Sequence, residues 1–128
     1  MLQTILALTC CDRQRSALKV IASKSRWRLY FARDSREAER HLQEEPIGII
    51  LCDRDLPGMD WRDQIGSLLR STPRSCIILV SGVNDEYLWE EVIRNGGYDV
   101  LPKPLQETQV VLAVTGASWY WKRYRARI

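Results

Sequence analysis

The sequence lacks any apolar run that approaches the roughly 18 residues needed to span a membrane. Its apolar N-terminal stretch has no basic region before it and no small-residue cleavage site after it, unlike a secretion signal. We interpret that stretch as the first strand of a cytoplasmic protein. At 128 residues the chain has room for one domain, which we expect to cover residues 1–128.

The chain is also poor in residues suited to a zinc site or a disulfide framework. It contains one histidine, His41, and four cysteines, no two of which form a Cys-x-x-Cys pair. Two of the cysteines are adjacent, and adjacent side chains on a strand point to opposite faces. We therefore expect reduced, buried thiols rather than a metal site: Cys10, Cys11, Cys52 and Cys76.

Excess charge of one sign is nearly absent, since the formal net charge is only +3. The last seven residues carry four cations: Lys122, Arg123, Arg125 and Arg127. Aromatic side chains precede and interrupt them, and such a segment can touch phosphates. We expect instead a solvated helix end, about residues 117–128, whose cations suit the negative end of the helix dipole. The composition thus predicts neither a nucleic-acid partner nor a membrane partner.

What the sequence does contain is a regular alternation of strand and helix patterns. Apolar runs predict strands at 2–10, 27–32, 47–52, 76–80 and 99–101. Amphipathic stretches predict helices at 12–25, 34–45, 60–71, 84–97 and 105–128. Expected helix N-caps are Asp12, Asp34 or Ser35, and Asn84 or Asp85. Such alternation is typical of an α/β protein in which helices cover both faces of a parallel sheet.

The segment IGIILCDRDLPGMDW, residues 47–61, places Asp53 directly after a buried strand. Asp12, Ser81 and Lys103 follow other predicted strands, and the carboxyl ends of parallel strands meet at one edge of the sheet. A carboxylate can accept a phosphoryl group if a metal and fixed donors neutralise the transferred oxygens. Asp12 and Asp53 could bind Mg²⁺ directly or through water. Asp12 is equally well explained as a helix cap.

Three segments, LCDRDLPGMD, ILVSG and GGYDVLPKP, resemble the response-regulator receiver domain of bacterial two-component signalling. The resemblance covers essentially the whole chain. It implies a flavodoxin-like fold with a five-stranded parallel sheet in the order 2-1-3-4-5. It also implies that Asp53 accepts a phosphoryl group from a sensor histidine kinase, that Ser81 follows that group, and that Lys103 pairs with it. The backbone carbonyl of Asp55 would be a Mg²⁺ ligand, and the Lys103–Pro104 bond is often cis in relatives.

Three departures from the family pattern accompany this resemblance. Cys10 and Cys11 align with two acids that hold the metal, or Cys11 and Asp12 do after a one-residue shift, so we expect weak Mg²⁺ binding. Val100 replaces an aromatic residue that relatives use as a switch. Trp61 stands where the family normally has glycine, and we expect its indole to alter access to Asp53.

Two functions remain open from the sequence. The first is a phosphorylation-dependent switch, without turnover on an external substrate, whose phosphodonor is a sensor histidine kinase or a phosphotransfer protein. The second is a pseudo-receiver, an interaction module with little or no phosphorylation. In both, a downstream protein or a second copy would bind a face formed by helix 4, strand 5 and helix 5. Its expected switch and interface residues are Val100, Tyr87, Trp89 and Trp119.

Overall fold

The structure, a computed structural model, describes residues 3–83 and 85–125. The strands are β1 (Thr4–Leu8), β2 (Arg28–Ala32), β3 (Ile49–Asp53), β4 (Cys76–Ser81) and β5 (Asp99–Pro102). The helices are α1 (Asp12–Ser25), α2 (Ser35–Glu44), α3 (Trp61–Ser71), α4 (Glu86–Arg94) and α5 (Glu107–Tyr120), and a π-helical turn, Trp121–Arg125, follows α5. Each described helix is too short or too polar to cross a membrane.

The five strands form one parallel sheet in the order β2-β1-β3-β4-β5, which confirms the predicted topology. In its register Leu8 of β1 lies opposite Cys52 of β3, and Asp53 lies opposite Val80 of β4. Ser81 in turn pairs with Pro102 of β5. The carboxyl ends of the three central strands and of β5 therefore meet at one edge.

Apolar side chains alternate between two cores because successive residues of a strand point to opposite faces. Ile50 and Cys52 belong to the core under α2, α3 and α4, whereas Ile49 and Leu51 belong to the core under α1 and α5. Every residue of β3 and β4 is buried. Strands buried on both faces explain why these segments read as continuous apolar runs.

Several boundaries differ from the sequence prediction. β1 ends at Leu8 rather than residue 10, and the last helix ends at Tyr120 rather than 128. Cys11 is the N-cap of α1 and Asp12 its first residue, so the expected Asp12 cap is wrong. Asp34 and Asp85 do cap α2 and α4, since each carboxylate accepts a backbone N–H. The alternative cap Asn84, the cation Arg127 and the predicted strand start at residue 2 lie outside the described residues.

Two glycines should respond in opposite ways to alanine. Gly96 has a φ of 95°, and an added Cβ would lie 2.5 Å from Leu69 Cδ1, so Gly96→Ala should lower the free energy of unfolding by about 1–2 kcal/mol. Gly66 lies within α3 with room for a Cβ, so Gly66→Ala should raise it by about 0.5–1 kcal/mol. Urea unfolding of both variants measures this, and equal shifts in one direction would contradict it.

Candidate functional site

Asp53 lies at the end of β3, where its carboxylate is 6% exposed and makes contacts on both oxygens. Its Oδ1 accepts hydrogen bonds from Lys103 Nζ at 2.8 Å and from the backbone N–H of Asp55 at 2.9 Å. The turn after β3 supplies the second donor, because the chain reverses there and directs the Asp55 amide back at the carboxylate. Lys103 reaches the same oxygen from the end of β5.

The other oxygen, Oδ2, is contacted by two uncharged side chains. Gln14 Nε2 donates to it at 3.1 Å, and the hydroxyl of Thr9 lies 3.2 Å from it. The same hydroxyl is 3.2 Å from Gln14 Oε1, so its single proton can go to either acceptor. It also accepts the backbone N–H of Cys11 at 3.0 Å. Thr9 and Gln14 are both buried, at 2% and 7% exposure.

Thr9 and Gln14 are site residues that the sequence pattern did not predict. Thr9 lies within the predicted strand 2–10, and Gln14 lies within the predicted helix 12–25. The signal for Thr9 is a polar residue directly after the apolar run 5–8. Reading it required knowing that Leu8 pairs with Cys52, because only then does the next residue lie opposite Asp53. Gln14 gave no comparable local signal.

Cys10 and Cys11, which align with the metal-binding acids of the family, make no hydrogen bond to Asp53 within residues 3–83 and 85–125. Cys10 is exposed, and its Sγ lies 3.3 Å from the carbonyl oxygen of Arg33. Cys11 is half-buried at the start of α1. Because β1 ends two residues earlier than predicted, Thr9 occupies the place beside Asp53. The expectation that all four thiols are buried therefore holds for Cys52 and Cys76 only.

Lys103 bridges two carboxylates. Its Nζ lies 2.8 Å from Asp53 Oδ1 and 3.1 Å from Asp55 Oδ2, and the Lys103 side chain is 23% exposed. Burial lowers the pKa of Lys103, but hydrogen bonds to Asp53 and Asp55 outweigh it, so its pKa is raised and the ammonium stays charged. The Lys103–Pro104 peptide bond is cis, as the family resemblance implies.

Ser81 lies at the end of β4 and is fully buried. Its hydroxyl accepts the backbone N–H of Val83 at 3.0 Å and lies 3.5 Å from Arg54 Nη1. Within the described part of the chain, these contacts do not join Ser81 to Asp53. The structure thus brings Asp53 and Lys103 together and leaves Ser81 hydrogen-bonded to its own loop.

The residues around Asp53 do not fit a Mg²⁺ ion. Mg²⁺ prefers carboxylate and carbonyl oxygens in a regular octahedral arrangement. Here the groups on Asp53 are an ammonium, an amide, a hydroxyl and a backbone N–H. Asp12 is exposed at the start of α1 and is not among the groups hydrogen-bonded to Asp53 within the described residues. Across residues 3–83 and 85–125, no three His, Cys, Asp or Glu side chains cluster closely enough to hold a metal.

The residues expected to act as switch or interface occupy two environments. Val100 is 8% exposed and packs in the core under α2, α3 and α4. Tyr87 and Trp89 on α4 are 67% and 47% exposed, and Trp119 on α5 is 58% exposed. Trp61 is 4% exposed within the same core as Val100, so the expectation that its indole alters access to Asp53 is not supported.

Cys52 makes stability depend on pH. Burial, with a smaller contribution from the adjacent Asp53, raises the pKa of the Cys52 thiol to about 12. An unfolded thiol ionises near pH 8.5, so the folded state binds more protons above that pH. The free energy of unfolding should therefore fall as pH rises from about 8.5 towards 12, by up to about 1.4 kcal/mol per pH unit from this group. Urea unfolding at pH values across that range measures the slope.

The matched variant for this slope is Cys52→Ala. Other groups titrate in the same range, including Lys103, whose stabilising charge is lost as pH rises through its raised pKa. Those contributions remain in the variant, which loses only that of Cys52. Its free energy of unfolding should therefore fall less steeply with pH than that of the parent. Identical slopes in the two proteins would contradict the assignment to Cys52.

Comparisons with known proteins agree with this architecture. Chemotaxis protein CheY of Thermotoga maritima is 30% identical over 105 residues, which are 81% of this chain and 88% of that protein. The receiver domain of an HD domain-containing protein from Pseudomonas fluorescens Pf-5 superposes with a TM-score of 0.87 at 25% identity, covering 98% of this chain and 93% of that one. The beryllofluoride-activated NtrC4 receiver domain dimer gives 0.83 at 23% identity, covering 92% and 98%.

The sequence model of the response regulator receiver domain matches residues 12–115, which make up most of the chain. Receiver domains are signalling domains, and they typically bind Mg²⁺ at an acidic pocket. The position of Asp53 at the end of the central strand, where it forms an ion pair with Lys103, is in keeping with that match. The chain belongs to the response regulator receiver domain family of two-component signalling proteins.

Proposed function

We propose that this receiver domain is a pseudo-receiver: a protein-interaction module in which Asp53 remains an unmodified carboxylate. The observation that carries the proposal is the set of contacts on Asp53 Oδ2, which come from the uncharged side chains of Gln14 and Thr9 rather than from a second carboxylate. Both Asp53 oxygens already accept hydrogen bonds. The pocket is therefore organised around the carboxylate itself.

Phosphoryl transfer to a carboxylate places additional negative charge beside a group that is already anionic. Catalysis of that transfer depends on positive charge held where the new charge develops, usually supplied by a metal ion together with fixed donors. Lys103 supplies one positive charge here, and it is shared between Asp53 and Asp55. We infer that a phosphodonor reacts slowly with Asp53 and that added Mg²⁺ accelerates the reaction little.

The second candidate is the phosphorylation-dependent switch, with a sensor histidine kinase or a phosphotransfer protein as donor. The specific observation in its favour is the 2.8 Å ion pair between Lys103 and Asp53, which joins the carboxyl ends of β5 and β3 across the end of β4. In that case the Ser81 hydroxyl, which accepts the Val83 N–H, would donate its own proton to a phosphoryl oxygen. For such a switch, Asp12 and the backbone carbonyl of Asp55 would be ligands of the Mg²⁺ ion.

Under either candidate, the surface offered to a protein partner is the α4–β5–α5 face. Tyr87 and Trp89 on α4 and Leu112 on α5 expose large side chains, and aromatic side chains are enriched in protein interfaces. The NtrC4 receiver, which is similar in fold, is described as a dimer. We propose that a downstream protein or a second copy of this chain binds that face.

Intact-mass spectrometry after incubation with acetyl phosphate, with and without Mg²⁺, tests the proposed function. In the reaction sought, an Asp53 oxygen forms a bond to phosphorus and acetate leaves. The pseudo-receiver predicts no phosphoryl adduct, or a trace that Mg²⁺ does not increase. An adduct that Mg²⁺ strongly increases and that Asp53→Asn abolishes would overturn it and establish the switch. Any adduct that remains in the Asp53→Asn protein would be located at another residue of the chain.

A further inference from the structure

A cavity of about 320 Å³ lies next to the contacts of Asp53, between the start of α1 and the segment after β5. Gln14 and Lys103, the two side chains that reach Asp53 from opposite sides, form part of its wall. This volume falls at the lower end of the range for small-molecule sites, about 300–1,000 Å³.

The wall of this cavity combines an apolar floor with positive charge. Ala17 and Leu105 line it, with Pro104 beside Leu105, and most of its surface is apolar. Its cations are Arg13 and Lys103, and no carboxylate is among the lining residues that the structure describes. Apolar pockets with a few polar groups are typical of sites that orient a small molecule.

Arg13 is the cation available to a ligand. Lys103 is committed to Asp53 and Asp55, whereas Arg13 is exposed and makes no ion pair within residues 3–83 and 85–125. A guanidinium presents donors in a planar fork that matches a carboxylate or a phosphate ester. An anionic head group could therefore bind Arg13 while its apolar body covers Ala17 and Leu105.

We propose that this cavity binds a small organic anion with an apolar body, and that the bound anion competes with Asp53 for Lys103. The inference goes beyond the proposed function, because it concerns a ligand site rather than the modification of Asp53. A bound ligand would affect Asp53 because Lys103, whose Nζ lies 2.8 Å from Asp53 Oδ1, also lines the cavity. A soluble ligand could then change the state of the receiver without phosphoryl transfer.

Titration of ¹⁵N-labelled protein with sodium hexanoate, followed by NMR at constant ionic strength, tests the site. Hexanoate should give saturable shifts confined to amides around residues 11–17 and 103–105. Hexanol, which lacks the charge, and acetate, which lacks the apolar body, should bind roughly tenfold more weakly or worse. Absence of saturable shifts with hexanoate, or equal binding of hexanoate and hexanol, would overturn the proposal.

Two substitutions separate the cavity from general surface charge. Arg13→Gln should weaken hexanoate binding roughly fivefold, whereas Arg40→Gln, which removes the same charge from exposed α2, should leave it unchanged. Ala17→Phe should abolish binding by filling the cavity, and its dispersed amide spectrum would show that it is folded. Equal affinities for the Arg13→Gln and Arg40→Gln proteins would contradict the site.

The competition for Lys103 has its own readout. Asp53→Asn removes the carboxylate that forms an ion pair with Lys103, and with it a negative charge near the cavity. Hexanoate should therefore bind roughly threefold more tightly to that variant. Unchanged affinity would overturn the link to Asp53. These measurements use unphosphorylated protein, so their failure is distinguishable from the acetyl phosphate result that tests the proposed function.

Discussion

Replacement of Lys103 by methionine should lower the free energy of unfolding by about 3 kcal/mol at neutral pH. Methionine keeps much of the length of the side chain but removes the ammonium that lies 2.8 Å from Asp53 Oδ1. Asp53 is only 6% exposed, so its carboxylate would stay buried with neutral donors and without a paired cation. Breaking a buried ion pair from one side is strongly destabilising for that reason. Urea unfolding gives the difference directly.

Two variants make this expectation specific to the buried pair. Asp55→Asn removes the other, largely exposed carboxylate on Lys103 and should change stability by less than about 0.5 kcal/mol. The double variant Lys103→Met with Asp53→Asn removes the buried charge as well as its partner, so it should recover most of the loss. A double variant as unstable as Lys103→Met alone would show that lost packing, rather than an unpaired carboxylate, explains the effect.

The substitution Thr9→Asp should make the stability of this protein respond to Mg²⁺. Thr9 Oγ1 lies 3.2 Å from Asp53 Oδ2, so an aspartate there would bring two carboxylates together. We expect their repulsion to cost about 2 kcal/mol in the absence of divalent cations. Mg²⁺ bound between the two carboxylates should restore about 2–3 kcal/mol when its concentration is about a hundredfold above the dissociation constant.

Thermal unfolding with increasing Mg²⁺ measures this response in three proteins. The parent should show little change, because its pocket does not fit the ion. Thr9→Asn, which has nearly the same shape as the aspartate variant but no charge, should also show little change. If Mg²⁺ stabilised the parent as much as Thr9→Asp, the metal would already bind at Asp53 and the pseudo-receiver proposal would fail. A response in Thr9→Asp alone would identify Thr9 as the residue that excludes the ion.

The fold could be predicted well because strands and helices are indicated by patterns among neighbouring residues in the sequence. Apolar runs such as residues 76–80, bounded by turn residues, indicate buried strands wherever they occur. Alternation with amphipathic helices then restricts the sheet to parallel strands, and the observed order confirms this. Boundaries were less accurate. The last helix gives way to a π-helical turn after Tyr120, although the sequence pattern continues without a break.

The candidate site was predicted in part. Asp53 and Lys103 were found because Asp53 ends β3, Lys103 directly follows β5, and strand ends meet at one edge of a parallel sheet. Thr9 was missed because the end of β1 was predicted two residues too late, and Gln14 was missed because its helix position gave no signal. A shift of one residue moves a side chain to the opposite face of a sheet. Small boundary errors therefore change which groups surround the carboxylate.

The sequence by itself determined the five strand and helix units, the parallel sheet and the position of Asp53, since these depend on the periodicity of neighbouring residues. Only the tertiary structure decided what surrounds Asp53. Thr9 and Gln14 are separated from it by 44 and 39 residues, and their contacts depend on the register between β1 and β3 and on how α1 packs. Local patterns do not specify that register to within one residue. The character of the pocket, with neutral donors in place of a second acid, is therefore a property of the folded chain.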